Sequence, residues 1–175
     1  MPYYAYVYAP FSGSVTGTNF GGHTECNPGF GGLVDMATTG SDKSVKLYVS
    51  SYVRKVTMTT NSECCDGTSC GSNYKKTVVI QLWGGVASSC RGYLGEVAYG
   101  HLSNAVVTSR DLTTADYANG IKVGDQTSGT CSNCYTNPHV HGECKLGTMM
   151  TYYPASLSVG STVIFRFVVP GTCPG

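Results

Sequence analysis

The chain has 175 residues, a formal net charge of +1 and only 12% charged residues, about half the usual share of roughly 25%. This length suits one domain with a core of its own, and the near-neutral charge argues against a nucleic-acid binder, which needs a basic face. No apolar run approaches the ~18 residues that a membrane-spanning helix requires. We therefore expect a single domain over residues 1–175, with neither a nucleic acid nor a membrane as partner.

Short runs typical of β-strands recur along the chain, separated by turns rich in Gly, Ser and Asn. They occupy residues 2–8, 45–59, 76–83, 95–101, 105–108, 139–146 and 161–169. The run 77–83 is almost wholly apolar, as is typical of a central strand, and one or two helical turns are expected within 111–119, ended by Asn119-Gly120. Regularly spaced strands with little helix predict an all-β fold, an antiparallel two-sheet sandwich.

Nine cysteines are a high content for a chain of this size. They favour an oxidising compartment and disulfide bridges, and their odd number leaves at least one free, in an intermolecular bridge, or bound to a metal. The spacing does not assign the pairs. In segment 61–73, which holds three cysteines, we favour a disulfide-pinned hairpin loop over a metal-binding knuckle completed by Cys131 and Cys134.

The first residues lack the basic start and apolar core of a signal peptide. Together with the cysteine content, this leads us to expect a secreted protein in its mature form.

All four histidines fall in three short motifs. These motifs are GGHTE at 21–25, AYGHLS at 98–103 and NPHVHGE at 137–143. On a strand, residues i and i+2 project from the same face ~7 Å apart, so His139 and His141 reach into one space. A catalytic zinc keeps three protein ligands and one water, and it binds histidine nitrogens and carboxylate oxygens. Taken alone, the HxH pair is equally typical of solvent-facing or buried, hydrogen-bonded histidines.

In this order, the three motifs resemble those of the lysostaphin-type zinc endopeptidases of bacterial cell walls. The family pattern runs from a His and an Asp through Tyr-x-His-Leu-Ser to a Gly-Pro-His-x-His-x-Glu type motif, and the segment GIKVGD at 120–125 resembles a short run between the last two. The match covers about residues 20–147. His23 and Asp35 are twelve residues apart, which departs from the common branch and resembles the β-lytic branch with its Gly-rich insertion.

The resemblance implies a substrate groove and one Zn²⁺ ion held by three side chains. His23, Asp35 and His141 take the positions of the metal ligands. Glu25 and Asp42 remain alternatives for the carboxylate ligand. The zinc would polarise a scissile carbonyl and lower the pKa of its bound water toward ~7.

The remaining motif residues take supporting roles in the same resemblance. His101 and His139 become the catalytic pair beside the metal-bound water, and the sequence does not decide which is the general base. Glu143, on the strand face of His141, would orient a ligand imidazole, or is a solvated carboxylate instead. Tyr99, two residues before His101 and therefore expected on its face, is a candidate substrate contact or a packing residue.

The resemblance thus implies a secreted, bacteriolytic zinc metallo-endopeptidase that acts as a monomer on peptidoglycan peptides. The expected bonds are those of Gly-containing cross-bridges or the bonds between stem and bridge. Three alternatives stay open. They are a catalytically silent relative that binds the cell wall, a zinc peptidase of the D-Ala-D-Ala carboxypeptidase type, and a disulfide-rich binding module without enzymatic activity.

Overall fold

The computed structural model describes residues 1–18, 32–62, 76–127 and 137–173. Strands take 58% and helix 4% of this part, so the expected all-β class with little helix is confirmed. The elements in chain order are β1 (Tyr3–Tyr8), β2 (Ser14–Thr18), β3 (Gly32–Ala37), β4 (Ser44–Val49), β5 (Val53–Ser62), β6 (Lys76–Gly84), β7 (Gly92–Ser103), β8 (Arg110–Asp111), α1 (Thr114–Asn119), β9 (Ile121–Gln126), β10 (Val140–Lys145), β11 (Gly147–Met149) and β12 (Val163–Val169).

The strands form one curled antiparallel sheet. Its order is β11-β12-β1-β4-β9-β7-β10-β3-β2, and β6 pairs with β7 and carries β5 and then β8 beyond it. The sheet folds over itself so that β12 packs across β7, which gives the expected antiparallel sandwich. The largest side chains buried between the two layers are Tyr99, Phe165, Phe167, Met36, Leu47, Ile80, Leu82, Leu102 and Ile164.

Alternation along β6 shows how the sequence assigns the two faces of the sheet. Val78, Ile80 and Leu82 have no exposed surface, whereas Gln81 and Trp83 project from the other side and are half-buried. We call the side of Val78, Ile80 and Leu82 the core face and the opposite side the outer face. The predicted central strand is confirmed, because β6 pairs with β5 on one edge and β7 on the other.

The two layers are in close contact where β7 passes under β12. A Cβ atom on Gly95 would lie 2.7 Å from the ring of Phe167, and Gly95 has a φ of +147°. Both the close contact and the backbone conformation require glycine.

Some predicted elements differ from the observed ones. The run predicted at 45–59 is two strands, β4 and β5, because the chain turns at 50–52. Residues 105–108 form no strand, and Val106 and Val107 are exposed. The helix expected within 111–119 is present as α1.

The cysteines divide into three groups. Cys90, between β6 and β7, forms a disulfide with Cys173, which follows β12, so the expected disulfide-bridged character is confirmed. Cys144 lies buried on the core face of β10 as a free thiol and supplies the unpaired cysteine that an odd count requires; burial raises its pKa to about 12. The other six cysteines lie outside the described residues; they are Cys26, Cys64, Cys65, Cys70, Cys131 and Cys134. The part of the predicted hairpin loop beyond Ser62 also lies outside the described residues.

Within the described ranges, none of the helical structure is long and apolar enough to cross a membrane. The disulfide is consistent with an extracellular protein.

Removing the Cys90–Cys173 bridge should destabilise the fold. The two cysteines are 83 residues apart in sequence, and a cross-link over a long loop restricts the unfolded chain. We expect the double variant Cys90→Ser/Cys173→Ser to lose about 2–4 kcal/mol of unfolding free energy in a urea titration under non-reducing conditions.

The matched control is Cys144→Ala, which removes a cysteine that takes part in no bridge. Reductant should lower the unfolding free energy of this control variant by the same amount as that of the unmodified protein. An unfolding midpoint in the double variant equal to that of the unmodified protein would contradict the stabilising role of the bridge.

Candidate functional site

The site is built on β10, which pairs with β3 on one edge and with β7 on the other. His141 faces Asp35 of β3 and Gly100 of β7 in a single row across the three strands. Opposed residues of antiparallel strands project from the same face. Asp35 and His141 therefore share the outer face, whereas Val34 and Gly142 in the next row lie on the core face.

His141 is held between two carboxylates. Its Nδ1 lies 2.9 Å from Oδ1 of Asp35, and its Nε2 lies 2.5 Å from Oε1 of Glu143. All three side chains are almost completely buried. Both ring nitrogens therefore donate to carboxylate oxygens, which requires the doubly protonated imidazolium.

The electrostatics of this row follow from its burial and its charges. Burial alone would lower the pKa of His141, but the hydrogen bonds to Asp35 and Glu143 outweigh it and raise that pKa to about 9. Burial would raise the pKa of Asp35, but the hydrogen bond from His141 and the neighbouring imidazoles lower it. At neutral pH His141 is thus a cation beside the ionised carboxylate of Asp35.

His139 lies just before β10 and points its ring toward the same carboxylate. Its Nδ1 lies 2.7 Å from the carbonyl oxygen of Asn137, and its Nε2 lies 3.6 Å from Oδ1 of Asp35. A carbonyl only accepts hydrogen bonds, so Nδ1 carries the proton and Nε2 is the basic nitrogen of the neutral ring. Burial lowers the pKa of His139, and the Asn137 carbonyl and Asp35 offset only part of that shift.

His101 reaches the outer face through a β-bulge in β7. Between Tyr99 and Leu102, β7 uses one residue more than the paired segment of β6, and His101 has a φ of 61°. A left-handed backbone is uncommon for a residue other than glycine, and bulges often serve to redirect a side chain beside a functional site. Gly100, which faces His141, contributes no side chain to this row.

The bulge brings three imidazoles together. The ring centroid of His101 lies 4.8 Å from that of His139, edge-on, and 5.7 Å from that of His141. We call His101, His139 and His141, with Asp35 and Glu143, the histidine cluster. The structure therefore assembles five of the predicted site residues on one face of the sheet.

The same bulge separates Tyr99 from His101. Simple alternation predicts that the two share a face, but Tyr99 lies on the core face with no exposed surface. Its hydroxyl has no hydrogen-bond partner in the described part of the chain, and burial raises its pKa. A fully buried side chain offers no contact to a substrate, so Tyr99 is a core residue, which was the alternative interpretation.

The fit of this site to zinc is partial within the described residues. Asp35 and His141 bring an oxygen and a nitrogen within 2.9 Å of each other on a buried face, and zinc prefers such donors. Glu143 adds a buried carboxylate oxygen, Oε2, with no hydrogen-bond partner in the described ranges. The described residues contain no group of three His, Cys, Asp or Glu side chains placed to hold a metal ion. The third expected ligand, His23, lies outside them.

Of the two candidate carboxylates among the described residues, Asp35 lies in the cluster and Asp42 does not. Asp42 is exposed in the connection between β3 and β4, where its Oδ1 accepts a hydrogen bond from the backbone of Ser44. Glu25 lies outside the described residues. Asp42 also borders a surface cavity of about 450 Å³ that includes none of the predicted site residues.

Two contributors to the site were not predicted from the sequence. Asn137 fixes the tautomer of His139 through its carbonyl oxygen, and Gly100 faces His141 without adding a side chain to the row. The signal for Gly100 is present in AYGHLS, since a glycine inside a strand often marks a bulge. A backbone carbonyl as partner carries no sequence signal at all.

Comparison of the chain with family models, with curated proteins and with solved structures gave no match. The likeness to the cell-wall endopeptidases therefore remains a resemblance in three motifs.

Proposed function

We propose that the protein is a secreted zinc metallo-endopeptidase that hydrolyses peptide bonds of bacterial peptidoglycan. The observation that carries the proposal is the row across β3, β10 and β7. It sets Asp35 against His141 and brings the rings of His101 and His139 beside them. Residues that are distant in sequence thus meet on one buried face, which supports the proposal.

In this proposal Asp35 and His141, with His23, hold the metal. When bound, zinc supplies a Lewis acid that polarises the scissile carbonyl and acidifies a water molecule. Glu143, at 2.5 Å from Nε2 of His141, fixes the orientation of that ring and leaves Nδ1 directed toward Asp35. The proton on Nδ1 must be released before this nitrogen can serve as a ligand.

The two remaining histidines suit proton transfer. The neutral ring of His139, with its proton fixed on Nδ1 by Asn137, presents a basic Nε2 to the site. His101 stands edge-on to it, so the two rings flank the same space. One would take a proton from the attacking water and the other would donate to the departing amine; we leave the assignment between them open.

A second candidate function has one observation in its favour. An imidazolium held between two buried carboxylates is also what a structural histidine would form without any metal. The alternative is therefore a catalytically silent relative that binds the cell wall. Metal content and wall hydrolysis decide between the two functions.

The first test is the clearing of purified Gram-positive cell walls. The protein should reduce their turbidity, the clearing should stop when a chelator strips the zinc, and it should return when zinc is added back. Lack of clearing by protein that holds one zinc per chain would favour the silent relative.

A second prediction concerns the ligands. His141→Ala and Asp35→Ala should each abolish zinc retention, measured as metal per chain after dialysis. Asp42→Ala is the matched control, since it removes an exposed carboxylate near β3 and should retain the metal. Full zinc occupancy in His141→Ala would show that the ligands are assigned wrongly.

A third prediction separates catalysis from metal binding. His139→Ala should keep zinc but lower kcat/KM by roughly 10²–10⁴-fold, the usual loss for a missing acid or base. The release of amino groups from cell walls measures the rate, and metal analysis of the same sample provides the control. A normal rate in this variant would remove His139 from the mechanism.

A further inference from the structure

Trp83 and Tyr93 lie on the same outer face of the sheet as the histidine cluster. The rows of paired outer-face residues between the two places are Ala98 with Glu143, Glu96 with Lys145, and Tyr93 with Trp83. From Gly100, which faces His141, β7 runs ~23 Å to Tyr93 at ~3.3 Å per residue. The cluster and the aromatic pair are therefore two ends of one continuous surface.

The two rings form a tilted pair with centroids 5.1 Å apart, and both side chains are half-buried. Nε1–H of Trp83 donates to Oγ1 of Thr57 at 3.1 Å, and that hydroxyl donates to Gln81 at 2.8 Å. Burial and the nearby carboxylate of Glu96 raise the pKa of Tyr93 to about 12. The hydrogen bond to Thr57 and the contact with Tyr93 hold the ring of Trp83 in place, so a ligand that stacks on it loses little affinity to ordering.

Polar side chains surround the pair on the same face. Glu96 forms an ion pair with Lys145, with 3.6 Å between Nζ and Oε2, and Lys55 of β5 faces Trp83 across the sheet. Together with Gln81 they present carboxylate, ammonium and amide groups next to the two rings. A few polar groups around aromatic surface is the usual composition of a small-molecule site.

This combination fits a sugar ring better than a peptide. A pyranose has flat faces of C–H groups that stack on an aromatic ring, and it has a rim of hydroxyl groups that hydrogen-bond to polar side chains. A peptide that binds by adding a strand to a sheet needs an open strand edge. None is available at Trp83, because β6 is paired with β5 on one side and with β7 on the other.

We propose that Trp83 and Tyr93 form a saccharide subsite on the outer face, separate from the histidine cluster, which binds the glycan strand of the wall whose peptides reach the cluster. The inference rests on the proposed function for the identity of the glycan. The recognition of a saccharide rests on the aromatic pair and its polar neighbours alone.

The test uses the fact that Trp83 is the only tryptophan of the sequence. Titration with chitotetraose, a β-1,4-linked N-acetylglucosamine tetramer, should shift the tryptophan emission to shorter wavelength in a saturable manner. Absence of a saturable change up to millimolar tetramer would overturn the proposal.

Two variants locate the binding. Tyr93→Ala should weaken chitotetraose binding at least tenfold in the fluorescence titration, and Trp83→Ala should do so in calorimetry. Tyr6→Ala is the matched control, because Tyr6 pairs with Tyr8 on the outer side of β1, with centroids 6.3 Å apart, in the other layer. If Trp83→Ala does not fold, Trp83→Phe keeps the stacking surface and should bind within a few-fold of the unmodified protein. If Tyr6→Ala weakens chitotetraose binding as much as Tyr93→Ala does, the placement of the subsite at Trp83 and Tyr93 is wrong.

Two further arms separate this inference from the proposed function. Pentaglycine should leave the emission of Trp83 unchanged, and a shift with this peptide but none with chitotetraose would overturn the saccharide assignment. Protein stripped of metal by a chelator should bind chitotetraose as tightly as before. Chitotetraose binding without any wall hydrolysis would overturn the proposed function and support the saccharide subsite. Wall hydrolysis without chitotetraose binding would overturn the saccharide subsite and support the proposed function.

Discussion

The pairing of β10 along both of its edges is the constraint on which the histidine cluster depends. Asp35 arrives on β3, His101 arrives on β7, and His141 and Glu143 lie on β10 itself. The register of these strands is fixed from the other side of the sheet, where Val34 and Val140 are fully buried. A slip of one residue would bring these valines to the outer face, at ~1.5–3 kcal/mol for each side chain that leaves the core. Apolar burial on one face thus positions the polar groups on the other.

Local distortion then adjusts what regular pairing cannot provide. In a regular strand, Tyr99 and His101 would lie on the same face. Either Tyr99 would then leave the core, or His101 would not reach the histidine cluster. The extra residue and the left-handed backbone at His101 let β7 place Tyr99 in the core and His101 in the cluster. Backbone strain of this kind costs of order 1–3 kcal/mol and persists only where the surrounding structure enforces it. Here the pairing of β7 with both β6 and β10 provides that enforcement.

The sequence predicts those features of the fold and site that follow from alternation within one strand. The all-β class, the central position of β6 and the common face of His141 and Glu143 are of this kind. The short strands β2 and β9 were not predicted, because glycines and polar residues interrupt their alternation. The run at 105–108 has β-type residues but forms no strand: its Val106 N–H donates to the carbonyl of Val123 in β9, and its valines are exposed.

Contacts between strands are harder to predict because they depend on register. Nothing in the spacing of His23, Asp35 and Asp42 states which carboxylate faces His141; that follows from the pairing of β3 with β10. The pairing of Trp83 with Tyr93 depends on a second irregularity, between Leu82 and Trp83, where β7 again uses an extra residue. The histidine cluster and the aromatic pair therefore both depend on bulges of β7, which alternation alone does not predict.

The free thiol of Cys144 links the formation of this sheet to the order of oxidation. While the chain is unfolded, this cysteine is as exposed as the other eight and can enter any mixed disulfide. Once β10 docks between β3 and β7, burial keeps the thiol protonated and inaccessible. Docking of β10 thus withdraws Cys144 from thiol exchange and leaves eight cysteines, an even number, available for pairing. Oxidation that outpaces docking would trap isomers in which Cys144 is bridged and the row of Asp35 and His141 cannot form.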